Sequence, residues 1–170
     1  YELGVFFHYD IEVFQPDYSF GKELIPVSLW NPQKLDTDQW VRTAKAAGAR
    51  YALLTAKHGT GFCLWPTKFH DYHVGNAPVS RDIVGEFMDS CRKYGIKPGL
   101  YYSLSSDHLD KICTGKDGKV DQKKKNEILL GQVEELVTVY GPLAEIWFDG
   151  GILRPEKGGP DIPGLLARIA

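Results

Sequence analysis

The chain has 170 residues, enough for one compact domain with its own core, and its 43% hydrophobic and 25% charged content are ordinary globular values. A formal net charge of -2 gives no sign of a nucleic-acid or anionic-membrane partner, and no apolar run approaches the length of a membrane span. The three cysteines, Cys63, Cys91 and Cys113, make no CxxC pair and are odd in number, so neither a zinc site nor a disulfide framework is indicated and the compartment stays undecided.

In chain order, the first element is a strand over Gly4 to His8. A long loop, Tyr9 to Leu35, follows it and exceeds the usual βα connection several-fold. Asp36-Thr37-Asp38-Gln39 then resembles a capping box, with Trp40, Ala44 and Ala47 on one helical face and Gly48 as the stop. Tyr51 to Ala56 is the second strand. A second long loop, Gly59 to Arg81, carries Phe62, Trp65, Phe69, His70, Tyr72 and His73. Asp82 or Ser80 caps the next helix, whose stripe is Ile83, Phe87, Cys91 and Tyr94, closed by Gly95. Lys97 to Ser103 is the third strand. Lys123-Lys124-Lys125 reads as a solvated helix face, and Leu129, Val133, Leu136, Val137 and Tyr140 mark the third helix, closed by Gly141-Pro142. Leu143 to Asp149 is the fourth strand, and a fourth helix starts near Ile162.

The order is therefore βαβαβαβ, which calls for a parallel sheet. A doubly wound sheet and half of a barrel both satisfy it. No glycine-rich phosphate turn follows any strand, as a dinucleotide fold would need. In addition, His8, His58, Ser103 and Asp149 each close one strand, and a (βα)₈ barrel gathers such residues into one site. The expected fold is a (βα)₈ TIM-like barrel of which this chain covers about the first four βα units. The only methionine is Met88 and the chain ends within what reads as an opening helix, Leu165 to Ala170. Residues 1–170 are accordingly read as part of a catalytic barrel, cut from a longer protein.

Asp149 closes Glu145-Ile146-Trp147-Phe148-Asp149, a period-two strand with one purely apolar face, and precedes Gly150-Gly151. A carboxylate at the tip of a buried strand is costly unless it is paired or used. A turn or cap role and a catalytic role stand level on spacing alone. His8 and His58 can hydrogen-bond substrate hydroxyls, be satisfied by backbone, or bind a metal together with Asp149. No HxH pair or further carboxylates accompany them, which disfavours the metal. If Leu100 faces the helices, Tyr101 and Ser103 face the site. Glu145 and Trp147 lie deeper, as barrel-interior residues. Trp65 can wall a sugar site, Phe62 packs the loop, and His70, His73 and His108 read as ordinary loop residues.

Three stretches, Leu54-Thr55-Ala56-Lys57-His58, Gly61-Phe62-Cys63-Leu64-Trp65-Pro66-Thr67 and Glu145-Ile146-Trp147-Phe148-Asp149-Gly150, together resemble the α-L-fucosidases of glycoside hydrolase family 29. Trp30-Asn31-Pro32, Gln39-Trp40, Ala44-Lys45, Ala47-Gly48 and Gly99-Leu100-Tyr101-Tyr102-Ser103 add to the resemblance, in the family's order and over nearly the whole chain. The resemblance implies a (βα)₈-like barrel, usually followed by a β-sandwich, and a retaining exo-glycosidase acting on terminal α-L-fucose. It aligns Asp149 with the nucleophile, His8, His58 and Tyr101 with residues that hold fucose, and Trp65 with a tryptophan beside the sugar. The family's general acid/base lies past Ala170. The implied partner is a fucosylated glycan, with no cofactor, metal, nucleic acid or membrane. Secreted, periplasmic or lysosomal placement follows from the resemblance alone. The sequence also departs from the family pattern. Gly59 and Thr60 stand where a second histidine and an aspartate are common, and His8-Tyr9-Asp10 replaces His-Phe-Gly or His-Trp-Gly. A non-hydrolytic sugar-binding homologue and a metal-dependent barrel hydrolase are the alternative readings.

Overall fold

Apolar alternation along four evenly spaced segments produces a sheet with one face to bury. The computed structural model describes residues 3–21, 23–151 and 154–169. Ala170, the end of the opening helix read from the sequence, lies outside the described residues. Strands β1 (Gly4–Phe7), β2 (Tyr51–Lys57), β3 (Lys97–Ser103) and β4 (Glu145–Asp149) are parallel and lie in the order β1-β2-β3-β4. Each strand pairs with the next one in sequence, so no reversal of strand order interrupts the sheet.

The crossovers are helical: α1 (Thr37–Ala46), α2 (Ile83–Tyr94), then α3 (Asp107–Cys113) and α4 (Gln122–Val139), with α5 (Ile162–Ile169) after β4. Asp36 caps α1 by accepting from the Gln39 amide, as the sequence predicts. Asp82 caps α2 by accepting from the Gly85 amide and also accepts from the Tyr140 hydroxyl, tying α2 to the end of α4. Gly95 ends α2 at φ 67°, the left-handed conformation that glycine adopts without Cβ strain. Helix α3 was not expected. It has seven residues and its only apolar ones are Leu109, Ile112 and Cys113, although Ser106 caps it by accepting from the Leu109 amide. Helix α4 begins a full two turns before the stripe that marks it in the sequence.

Register places Phe7, Leu54, Leu100 and Ile146 side by side on one face, where α1, α2 and α4 cover them. The Phe7 ring lies 5.6 Å from Trp40 of α1 and 6.1 Å from Phe87 of α2. All three cysteines are free and buried. The opposite face carries Phe6, Tyr101 and Trp147, with ring centroids 5.5 Å (Phe6–Tyr101) and 5.9 Å (Phe6–Trp147) apart. Phe6 and Trp147 are 39% and 48% exposed, whereas Tyr101 between them is buried, so this face is open at its two edge strands.

The ring-rich loop after β2 doubles back onto the sheet through the bridge between Lys57 and Cys63 and packs as a second core layer. Phe62 lies 5.0 Å from Trp30 and 5.2 Å from Tyr72, in the packing role expected of it. One irregularity in β2 matters for everything that follows. Thr55 pairs with Tyr101, but Lys57 pairs with Tyr102, so an extra residue is inserted between them. Lys57 therefore points to the helix side, fully buried, with its Nζ 4.1 Å from the centre of the Tyr102 ring. His58, the next residue, is turned to the opposite face.

Candidate active site

The C-terminal ends of the strands collect four of the five residues singled out in the sequence. Asp149 is the last residue of β4 and is solvent-exposed. Its Oδ2 accepts from the Tyr101 hydroxyl at 2.7 Å and its Oδ1 from the Gly150 amide at 2.7 Å. The Tyr101 hydrogen bond, then that of Gly150, holds the carboxyl below the usual carboxylate range, with His58 adding in the same direction. The same arrangement, together with burial as the larger cause, raises the Tyr101 hydroxyl above its ordinary value. Gly150 and Gly151 have φ of 64° and 70°, so the chain leaves the strand through a turn that residues with a Cβ resist.

His58 faces this carboxylate because of the extra residue in β2. Its ring meets that of His8 edge-on at 4.6 Å and lies 5.8 Å from the Tyr101 ring. Burial, and secondly the proximity of His58, lowers the basicity of His8. Glu12 comes from a short helical turn, Ile11–Phe14, directly after β1, and its Oε1 lies 3.2 Å from His58 Nδ1.

The same turn starts at Asp10, which is buried. Asp10 Oδ1 accepts from the Ile11 amide at 2.7 Å and Oδ2 from the Thr60 hydroxyl at 2.8 Å. Desolvation pushes the Asp10 carboxyl up to about 7 despite these two bonds. Asp10 and Thr60, far apart in sequence, thus meet in space. Ligating atoms of Asp10, Glu12 and His58 all lie within 4.8 Å of one another. Each of these three groups has a protein partner: Asp10 accepts from Ile11 and Thr60, while Glu12 and His58 pair with each other. The cluster is also not the His8, His58 and Asp149 set considered from sequence.

A cleft of about 300 Å³ opens in front of Asp149, lined by His58, Tyr101, Ser103, Asp107 and Phe20 among others. Ser103 donates to the Ser105 carbonyl at 2.7 Å. Asp107 anchors the loop after β1, accepting from the Tyr18 hydroxyl at 2.5 Å and the Gly21 amide at 2.7 Å. That anchoring carries Phe20 over the site, 5.7 Å from the His58 ring. A Cβ built on Gly59 would fall 2.7 Å from the Phe20 ring, so Phe20 occupies the space that a side chain at position 59 would need. Phe20 and Glu12 carried no motif in the sequence; only the folded loop brings them here.

Trp65 is placed elsewhere, and the expectation that it walls the sugar site is corrected by its burial. It is 1% exposed on the helix side of the sheet, its ring 6.5 Å from Tyr102, with Nε1 donating to Glu135 of α4 at 3.0 Å. The doubling back of the loop after β2 puts it there. His70 and His108 pack half-buried against this layer, His108 from within α3. The His70 Nε2 is 2.8 Å from Gln132 Nε2, and the His108 ring stacks on Tyr72 at 4.8 Å.

Comparison with known proteins is consistent with this geometry. The family model described as alpha-L-fucosidase matches residues 3–161. Alpha-L-fucosidase 1 of Arabidopsis thaliana is 36% identical over 158 residues, covering 91% of this chain and 30% of the plant protein. The chain thus spans less than a third of that relative. A crystal structure of a putative alpha-L-fucosidase from Bacteroides thetaiotaomicron VPI-5482 superposes with a TM-score of 0.85 at 37% identity, over 97% of this chain and 41% of that one. A second structure, a family 29 alpha-L-fucosidase from Bacteroides thetaiotaomicron trapped as a covalent intermediate with 2-fluoro-fucosyl fluoride, superposes with a TM-score of 0.66 at 35% identity, over 73% of this chain and 29% of that one.

Proposed function

Because the chain belongs to the alpha-L-fucosidase family, we propose that it forms the first four βα units of a (βα)₈ barrel that hydrolyses terminal α-L-fucose with retention of configuration. The unreversed strand order supports the barrel, since a doubly wound sheet changes direction at a switch point. The open face bearing Phe6, Tyr101 and Trp147 is the barrel interior in this reading.

The observation that carries the reaction is the exposed Asp149 carboxylate, fixed by Tyr101 and Gly150 at the mouth of the cleft. A carboxylate held below its usual range is ionised at neutral pH and available as a nucleophile. Asp149 attacks the anomeric carbon, the glycosidic C–O bond breaks, and a carboxylic acid from outside this chain delivers a proton to the leaving oxygen. That same carboxylate then takes a proton from water as the water displaces Asp149, releasing the sugar. The two carboxyls of such a retaining pair stand ~5 Å apart. His8, His58 and Tyr101 hold the sugar around Asp149, and the substrate is a fucosylated glycan.

The test is Asp149→Gly in the full-length protein, assayed on an activated aryl α-L-fucoside. Turnover should vanish in a folded variant and return with added azide, which fills the space of the missing carboxylate. Activity close to wild type in folded Asp149→Gly protein would remove Asp149 from this role. Tight sugar binding by a wild-type protein that never turns over would point to a binding homologue.

A further inference from the structure

Glu12 has no assigned role, yet it is the carboxylate that touches the candidate sugar-binding histidine. Its position is over-determined. The Thr60 hydroxyl pins Asp10, Asp10 caps the turn at Ile11, and that turn delivers Glu12 Oε1 to within 3.2 Å of His58 Nδ1. Thr60 itself is buried and accepts from the Phe62 amide at 3.1 Å, so the support reaches into the core behind the site.

A neutral imidazole has one nitrogen that donates and one that accepts. A carboxylate can only accept, so a neutral His58 paired with Glu12 carries its proton on Nδ1. The remaining surroundings of His58 do not impose the opposite choice. The His8 ring meets it edge-on, Phe20 offers only a ring, and the Tyr101 hydroxyl is committed to Asp149. The Asp149 carboxylate shares the cleft with His58, but its two oxygens accept from Tyr101 and Gly150. We propose that Glu12 is a positioning residue that fixes His58 as the Nδ1–H tautomer, so that His58 Nε2 accepts a hydrogen bond from a sugar hydroxyl beside Asp149. The inference rests on the fucosidase reading for the identity of the sugar, but not for the hold of Glu12 on the ring. The logic is that of other histidines whose second nitrogen is set by a carboxylate behind them.

The experiment uses the full-length protein with ¹⁵N-labelled histidine in mildly alkaline buffer, the His58 signals being assigned by their loss in His58→Ala. Wild type should show the proton on Nδ1. Glu12→Gln keeps an oxygen that can accept from Nδ1–H and should keep that tautomer, whereas Glu12→Ala should shift the proton toward Nε2. On an aryl α-L-fucoside, Glu12→Ala should raise KM by roughly tenfold, the lower end of the usual effect of removing an outer partner. Its kcat should change much less, and Glu12→Gln should recover most of the loss. A wild-type spectrum with the proton on Nε2 overturns the proposal whatever the variants do. So does a folded Glu12→Ala protein with unchanged tautomer and KM. If wild type neither cleaves the fucoside nor binds a fucose-configured iminocyclitol, the fucosidase reading fails and the sugar-hydroxyl half of the proposal falls with it. The ring spectra then still decide the hold of Glu12.

Discussion

The Tyr101 hydroxyl donates to Asp149 Oδ2 across 2.7 Å, from one strand to its neighbour at the C-terminal edge of the sheet. This bond orients the carboxylate and is the largest cause of its lowered pKa. Tyr101→Phe should therefore reduce kcat/KM by roughly 10- to 100-fold, the usual effect of deleting a hydrogen bond to a charged group. The direction in pH is also determined. Without the donor the Asp149 carboxyl rises toward its ordinary range, so the acid limb of the pH–rate profile should move to higher pH. A Tyr101→Phe profile that superposes on wild type would show that the bond does not govern Asp149.

Asp10 makes a prediction about stability rather than rate. Its carboxyl is raised to about 7 by desolvation, against an ordinary value of 3.8. Between those values the native state keeps a proton that the unfolded chain has released, so stability falls as pH rises from about 4 to about 7. Asp10→Asn keeps the shape and an oxygen to cap Ile11 but cannot ionise. The variant should lose this part of the pH dependence and gain on wild type above neutral pH. Thermal unfolding at about pH 5 and about pH 8 measures it; parallel changes in the two proteins would place the titration elsewhere.

Lys57 acts in the opposite sense. Burial drives its amine down to about 7 from 10.5, and among the described residues its Nζ has no hydrogen-bond acceptor. From about 7 to about 10.5 the unfolded chain holds a proton that the native state has lost, so stability rises with pH across that window. Lys57→Met replaces the amine with an apolar chain of similar length facing Tyr102. It should stabilise the protein by ~1–3 kcal/mol at neutral pH, the cost of burying an unsatisfied polar group, and by less in alkali. Urea midpoints decide it. A destabilised variant would mean that the contact with the Tyr102 ring, 4.1 Å away, outweighs desolvation.

Much of this protein is legible in local chemistry. Asp36 and Asp82 cap the helices they precede, Gly95 ends the second one, and the four strands start within two residues of where alternation places them. Asp149 could be singled out because a carboxylate that ends an alternating strand before a glycine pair is a local pattern. Tyr101 followed from the face opposite Leu100, and the register bears that face out. Such features depend on residues a few positions apart, where dihedral preferences and period are enough.

His58 shows where that reasoning ends. Strict alternation from Ala52, Leu54 and Ala56 would send His58 to the helix side and Lys57 to the cleft. The extra residue between Thr55 and Lys57 exchanges them, burying the lysine and presenting the histidine. Trp65 is lost from the expected site for a related reason, since its loop folds back over the outer face to bury Phe62, Leu64, Trp65, Tyr72 and Val74. Glu12, Phe20, Asp10 and Thr60 converge only because two long loops cross at the strand ends. The sequence by itself determined the four strands, the helices between them apart from α3, their order and the catalytic candidate at Asp149. Tertiary structure alone decided which face His58 takes and which residues stand behind it, because a one-residue shift in a period-two strand costs little locally and reverses every side chain beyond it.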